Sequence, residues 1–386
     1  MPNRKLAAFT IIALVIIEIA TVASHWGDVK ARRPDFAALY SSAQLLRGGD
    51  GVGGMAEGAQ VGMRPDTLHP PFETALFVPL SYFSYTTAYI VWLGCNLAML
   101  WAVPILLWNE LGALQREFHF IAIVYGSMYP VLVCLVQGQD AILLLLLLTL
   151  SYRAATARRD VLSGVLLALS LFKFQIVIPI AFLIFVARKW KLMAGFASTA
   201  AALALVTIGL IGVRNAVNYA SFVVHLGLQS AVPVDDPSLM PNLRGLMISA
   251  FAKMFSSSII TVAVIAISLV ILAGSARWVL LHQNVEWSLR FAYFVLVGCV
   301  TSYHFFPHNA CLLLLPILLV ANTALGDGVS ARERWTFSIA CLTIYLAPNL
   351  LPLGIAMPLL ALASILLALS ALRISQQPQV LTLGSR

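Results

Sequence analysis

Residues 141–191 read AILLLLLLTLSYRAATARRDVLSGVLLALSLFKFQIVIPIAFLIFVARKWK. Three apolar runs, 141–152, 161–173 and 176–187, are set off by Arg153, Arg158 and Arg159, by Lys173, Phe174 and Gln175, and by Arg188, Lys189 and Lys191. Runs this apolar belong in a bilayer, yet each falls short of the ~20 residues that cross its hydrocarbon. They therefore extend through their polar flanks or are broken helices whose ends line a cavity. If 161–187 is a hairpin, both arginine-rich groups share one membrane side, and Lys173 stands at the far end of the arms.

Outward from this stretch the chain keeps the same character. Of 386 residues 60% are hydrophobic and 10% charged, with a mean hydropathy of +0.91, against the roughly 25% charge of a soluble domain. The expectation is one all-α polytopic membrane domain over 1–386, with about 12 transmembrane helices. Candidate runs are 6–24, 85–108, 118–136, 141–152, 161–173, 176–187, 192–212, 257–273, 287–302, 309–323, 337–349 and 354–371. The first is too long for a signal peptide and lacks a small-residue cleavage site after it, so it reads as a retained span.

Charge reads as topology. With the N-terminus inside, inner connections hold 14 Lys/Arg against 6 Asp/Glu, and outer ones 9 against 9, the positive-inside bias. Both termini are thus expected in the cytoplasm of a bacterial inner membrane. The +8 net charge is scattered without a basic stripe or aromatic platform, which excludes a nucleic-acid partner. Five cysteines in apolar runs, none in CxxC spacing, argue against structural zinc or a disulfide framework.

Two outer connections are long, about 25–84 and 213–256. The first holds an amphipathic pattern over 34–47 ended by Gly48-Gly49, a Gly-rich stretch at 48–62, and a second short helix expected over 72–82 after His69-Pro70-Pro71, since proline suits a first helical turn. Such helices lie in the membrane surface and wall a cleft for an amphiphile.

The unusual polar residues collect on this outer side: Asp35, His69, Gly138-Gln139-Asp140, Lys173, Gln175, Arg244, His304, His308 and Asn309. Ionisable groups at membrane depth are costly and mark a pathway or a site. A carboxylate within about 3 Å of a hydroxyl proton serves as general base, and Lys, Arg and His suit a departing phosphate. One base with several cations fits transfer from a lipid phosphate better than a two-carboxylate hydrolase. Blander roles remain for each: Gln139 and Asp140 as helix caps, Lys173 snorkelling to the interface, His69 as a turn residue. His304 and His308 are interrupted by Pro307 and lack a third ligand, so no metal or other cofactor is expected there, while Asp35, Asp140 and Asp235-Asp236 leave a divalent-ion role open. Glu18 and Arg290 read either as a buried pair or as independent groups.

The ordered set Asp35-Phe36 with Tyr40, Leu46, Gly48 and Asp50, then His69-Pro70-Pro71, Phe77-Val78-Pro79-Leu80, Trp92, Asn96-Leu97, Gly138-Gln139, Lys173-Phe174-Gln175, Asn242-Leu243-Arg244-Gly245 and His304 to His308-Asn309 resembles glycosyltransferase family 87. That resemblance implies a GT-C type fold with an extracytoplasmic site. The partners implied are a polyprenyl-phosphate-linked sugar donor, a lipid or glycan acceptor and membrane lipids. It further implies Asp35 as catalytic base and Lys173, Arg244 and His304 or His308 at the donor phosphate, and it includes Gln139 without fixing its role. Tyr40, His69, Gln139, Asp140, Gln175 and Asn309 are expected to bind or position substrate. A transporter of a lipid-linked anion and a subunit of an envelope-assembly complex stay open as alternatives.

Overall fold

A computed structural model describes residues 4–48, 69–112, 114–115, 118–228, 236–326 and 329–376. The Gly-rich stretch beyond Gly48, Asp50 and Asp235 lie outside the described residues. Within them every regular element is helical.

The chain opens with α1 (Arg4–Ser24), α2 (Trp26–Lys30) and α3 (Phe36–Gly48). Then come α4 (Pro71–Phe77), a 3-10 turn Val78–Tyr82, and α5 (Tyr85–Leu107), started by Ser84, whose side chain accepts from the Thr87 amide. The two short surface helices expected in the first long connection are thus α3 and α4. Phe36 is fully buried among Phe77, Tyr85 and Tyr89, with ring centroids 5.7–6.3 Å apart. This aromatic nest fixes the two short helices on the N-terminal end of α5.

The core continues through α6 (Phe118–Gly126), α7 (Tyr129–Gln137), α8 (Ala141–Thr156), α9 (Asp160–Leu169) and, after a 3-10 turn Ser170–Lys173, α10 (Phe174–Val186). Next are α11 (Trp190–Leu228), α12 (Leu243–Phe251), α13 (Ser257–Leu281) and α14 (Trp287–Thr301). A 3-10 stretch Pro307–Leu313 leads to α15 (Leu314–Ala324), α16 (Ala331–Leu350) and α17 (Leu353–Ser375). Helix α14 is buried along nearly its whole length, packed on α10, α15 and α17, and forms the axis of the bundle.

Among the described residues six stretches are long and apolar enough to cross a membrane: 85–110, 160–186, 190–221, 257–281, 307–324 and 353–375. A seventh exists if α7 and α8, bent by 119°, count as one. About 12 crossings are not confirmed, since several of the dozen runs fall short of a bilayer's thickness. The second long connection is also shorter than expected, since α11 runs on to Leu228 across a break at Gly212 (φ 78°, ψ 159°). Glu18 and Arg290 do not pair: Glu18 accepts from the Trp101 indole at 3.1 Å, and Arg290 donates to the Gln283 carbonyl at 3.1 Å.

The stretch 160–186 is not straight. A Cβ on Gly195 would lie 2.2 Å from the Val161 carbonyl oxygen, and one on Gly164 only 1.9 Å from that of Leu192, so the start of α9 touches the start of α11 backbone to backbone. A straight helix would put Val161 and Val186 ~37 Å apart. The chain from Val186 to Gly195 spans at most ~22 Å, four extended steps and a helical turn. The stretch therefore doubles back, and its non-helical residue is Lys173 (φ −110°, ψ 55°). As the hairpin reading requires, Arg158 and Arg159 lie at the same end as Arg188 and Lys189, and Lys173 sits at the opposite apex.

Candidate functional site

Two helix breaks meet. The first is Gly138-Gln139-Asp140, between α7 and α8. Gly138 takes φ 62°, and a Cβ there would lie 2.8 Å from Phe36 Cβ, so both conformation and space call for glycine. The break is pinned from α5: Trp92 Nε1 donates to the Gly138 carbonyl at 2.9 Å, and the Tyr89 hydroxyl reaches the Leu135 and Val136 carbonyls at 3.0 and 2.9 Å. These bonds satisfy acceptors that the end of α7 leaves open.

Asp140 takes the N-cap position of α8, yet its side chain makes no cap bond. The carboxylate turns to the second break instead, where Lys173 Nζ stands 2.9 Å from Oδ1. Both groups are buried, and each offsets the other's desolvation. On the far side His69 Nδ1 lies 3.5 Å from Asp140 Oδ2 and 2.9 Å from Glu73 Oε2. The donor atoms of His69, Glu73 and Asp140 all fall within 4.8 Å of one another, a spacing that can hold a metal ion.

Gln139 ties in the first surface helix. Its Nε2 donates to Asp35 Oδ2 at 2.6 Å, while the Asp35 amide donates to Gln137 Oε1 at 3.1 Å. Asp35 is exposed at the rim, whereas Lys173 and Asp140 are buried below it. Rim and floor are joined through two consecutive residues.

A third group arrives from α12 and the segment after α14. Asn242 Oδ1 accepts from the Gly245 amide at 2.9 Å, and its Nδ2 donates to the Ser302 carbonyl at 2.6 Å. Arg244 donates to the Tyr303 carbonyl at 3.3 Å and lies over the Tyr303 ring at 3.9 Å. Gln175 reaches the His304 carbonyl at 3.5 Å. The charges of Arg244 and Lys173 are felt at His304, and those of Lys173, Asp140 and His69 at the buried His308. Among the described residues His304 Nε2, Asn309 Oδ1 and Gln139 Oε1 are buried without a hydrogen-bond partner. They are available to a ligand.

Burial, then the positive charges of Arg244 and Lys173, hold the His304 imidazole down at about 4. It is neutral at pH 7 and offers one N–H rather than a charge. Burial pushes the Glu73 carboxyl up to about 7, with Asp140 adding to the shift and His69 opposing it. For His69, burial disfavours the cation, but the charge and hydrogen bond of Glu73 outweigh it and the ring is raised.

The anticipated residues Asp35, His69, Gln139, Asp140, Lys173, Gln175, Arg244, His304, His308 and Asn309 therefore come to one end of the bundle. Tyr40 is set apart in the aromatic nest, its hydroxyl donating to the Phe83 carbonyl at 2.7 Å. Sequence reading passed over Glu73, Tyr219 and Tyr303. The His69–Glu73 spacing of one helical turn was a usable signal for the first. Tyr219, within electrostatic reach of Glu73, had none.

A family model for glycosyltransferase family 87 matches residues 68–307, more than half of the chain. The chain belongs to glycosyltransferase family 87. No curated protein and no solved structure matches it. Membership indicates transfer of a sugar from a polyprenyl-phosphate donor, and the matched span holds every residue of the cluster except Asp35, His308 and Asn309. In this family 87 member an apolar groove of about 390 Å³ adjoins the charged cluster, lined by Pro70, Phe72, Leu171 and one side of α11 from Ala200 to Ala220.

Proposed function

We propose that the protein moves a sugar, a hexose such as mannose or an arabinofuranose, from polyprenyl phosphate to a hydroxyl of a lipid-linked or envelope-glycan acceptor. The reaction is one displacement with inversion at the anomeric carbon. The observation that carries this reading is the Asp35–Gln139–Asp140–Lys173 chain of contacts, which joins a rim carboxylate to a buried ammonium in one rigid unit.

The acceptor hydroxyl gives its proton to Asp35 as its oxygen bonds to the anomeric carbon. The bond from that carbon to the phosphate oxygen breaks, and its electron pair leaves with polyprenyl phosphate. Lys173 and Arg244 offset the growing charge, and neutral His304 or His308 donates an N–H to it. Gln139, Gln175, Asn309 and His69 hold the sugar and phosphate in line. The isoprenoid chain lies in the groove along α11, where Ala200, Ala204, Ala216 and Ala220 leave room for it. On this reading the site faces the extracytoplasmic side of the inner membrane, which is supported by Arg158, Arg159, Arg188 and Lys189 lying at the opposite end of the 160–186 hairpin, and lipid-linked donors there replace soluble nucleotide sugars.

The test is Asp35→Asn in purified enzyme given labelled polyprenyl-phosphate sugar and a glycolipid acceptor mixture. Loss of a general base lowers turnover by roughly 100- to 10,000-fold, with little change in donor binding. Turnover near the wild-type rate would remove Asp35 from the mechanism, and uptake of intact donor across vesicles would favour a transporter.

A further inference from the structure

We propose that His69, Glu73 and Asp140 bind one divalent first-row cation of the zinc or manganese class beside the Lys173 ammonium. The site is nearly formed already. Its donor atoms are 2.9 and 3.5 Å apart across His69, and all three lie within 4.8 Å. Around an ion with bonds of about 2.0–2.2 Å, neighbouring donors stand roughly 3–3.5 Å apart. The protein supplies this spacing from two rigid places. His69 and Glu73 flank the Pro70-Pro71 start of α4, whose Pro70 is held at φ −65° and ψ 150°, while Asp140 is held by the pinned break before α8.

A second observation points to a cation. Among the described residues Glu73 Oε1 and Asp140 Oδ2 are buried without a hydrogen-bond partner, and both residues are wholly inaccessible. Lys173 pairs with Asp140 Oδ1 alone. Two carboxylates against one ammonium leave one negative charge uncompensated in a low-dielectric pocket. A divalent ion at this spacing would offset that charge, taking the His69 Nδ1 lone pair and one oxygen from each carboxylate. One imidazole, two carboxylates and no thiolate suit borderline-to-hard divalent ions rather than Cu(I). Three protein ligands leave further coordination positions open. Their use by a donor phosphate oxygen rests on the proposed function; the binding of the ion does not.

Full-length protein in detergent, stripped with a chelator, is titrated with Mn²⁺ and followed by the electron paramagnetic resonance of free ion. One equivalent per chain should be silenced, and Zn²⁺ should release it. His69→Ala and Glu73→Gln should each weaken binding tenfold or more, whereas His282→Ala, which removes a ring stacked on Trp278 elsewhere, leaves it unchanged. Thermal unfolding of each variant checks that it is folded. If stripped wild type takes up no more Mn²⁺ or Zn²⁺ than the folded His69→Ala/Glu73→Gln double variant, the site is refuted and the carboxylates share a proton instead. Sugar transfer by that metal-free protein would leave the proposed function standing; ion binding without any sugar transfer would overturn the function alone.

Discussion

Replacing Lys173 by methionine should destabilise the protein more than replacing Lys173 and Asp140 together. The two charges are 2.9 Å apart, with 9% and 0% of their residue surfaces exposed, so neither has water to fall back on. Lys173→Met strands a buried carboxylate against Glu73, and breaking a buried pair from one side costs about 3–5 kcal/mol. Lys173→Met/Asp140→Asn leaves only a neutral amide, so the cycle should show a coupling of roughly 2–3 kcal/mol. Unfolding in detergent, with chelator present to exclude bound cations, gives the order wild type highest, the double variant between and Lys173→Met lowest, with Asp140→Asn measured as the fourth corner of the cycle. Sugar transfer should be lost in both lysine variants, separating the stability effect from the chemistry. A Lys173→Met protein as stable as the double variant would refute the buried ion pair and the meeting of the two breaks built on it.

Asn242→Ala removes both the start of α12 and the tie to Ser302, which should cost about 1–2 kcal/mol and raise the donor KM severalfold by loosening Arg244; steady-state kinetics with a conservative Asn242→Asp control reads this. Ala204→Trp fills the groove beside α11, so KM should rise for a long polyprenyl donor and stay unchanged for a short-chain analogue. A pH effect follows from His304, whose folded value of about 4 lies below the ordinary 6.5. Between these values the unfolded chain binds a proton that the folded one refuses. Stability from this group is therefore complete above about pH 6.5 and falls as pH drops toward 4. His304→Gln should flatten that limb by up to one proton in an unfolding-versus-pH series.

The polar residues of the site were legible because each interrupts apolar sequence at a cost, and a charge such as Lys173 inside 161–187 has few places to go except a cavity. The short surface helices α3 and α4 were legible from glycine and proline punctuation. The number of crossings was not, since a run of leucines is equally content crossing the bilayer or turning back within it. What decides is a backbone approach such as Gly164 against Leu192, which pairs residues 28 positions apart and leaves no local pattern. Glu73 escaped for a related reason: its meaning depends on Asp140, 67 residues later. The continuation of α11 past Gly212 was hidden because a glycine after an apolar run ordinarily reads as a stop.

The order in which the ion pair's members leave the ribosome has its own consequence. Asp140 is synthesised 33 residues before Lys173, at the head of α8, while the lysine waits at the tip of a hairpin that must be pushed into lipid. When that tip arrives, its counter-charge is already in place, so the ammonium need never reside in hydrocarbon alone. Exchanging the two, Asp140→Lys with Lys173→Asp, would send the cation in first and unaccompanied. Membrane integration of that swapped chain, followed during translation, should stall where the native chain passes.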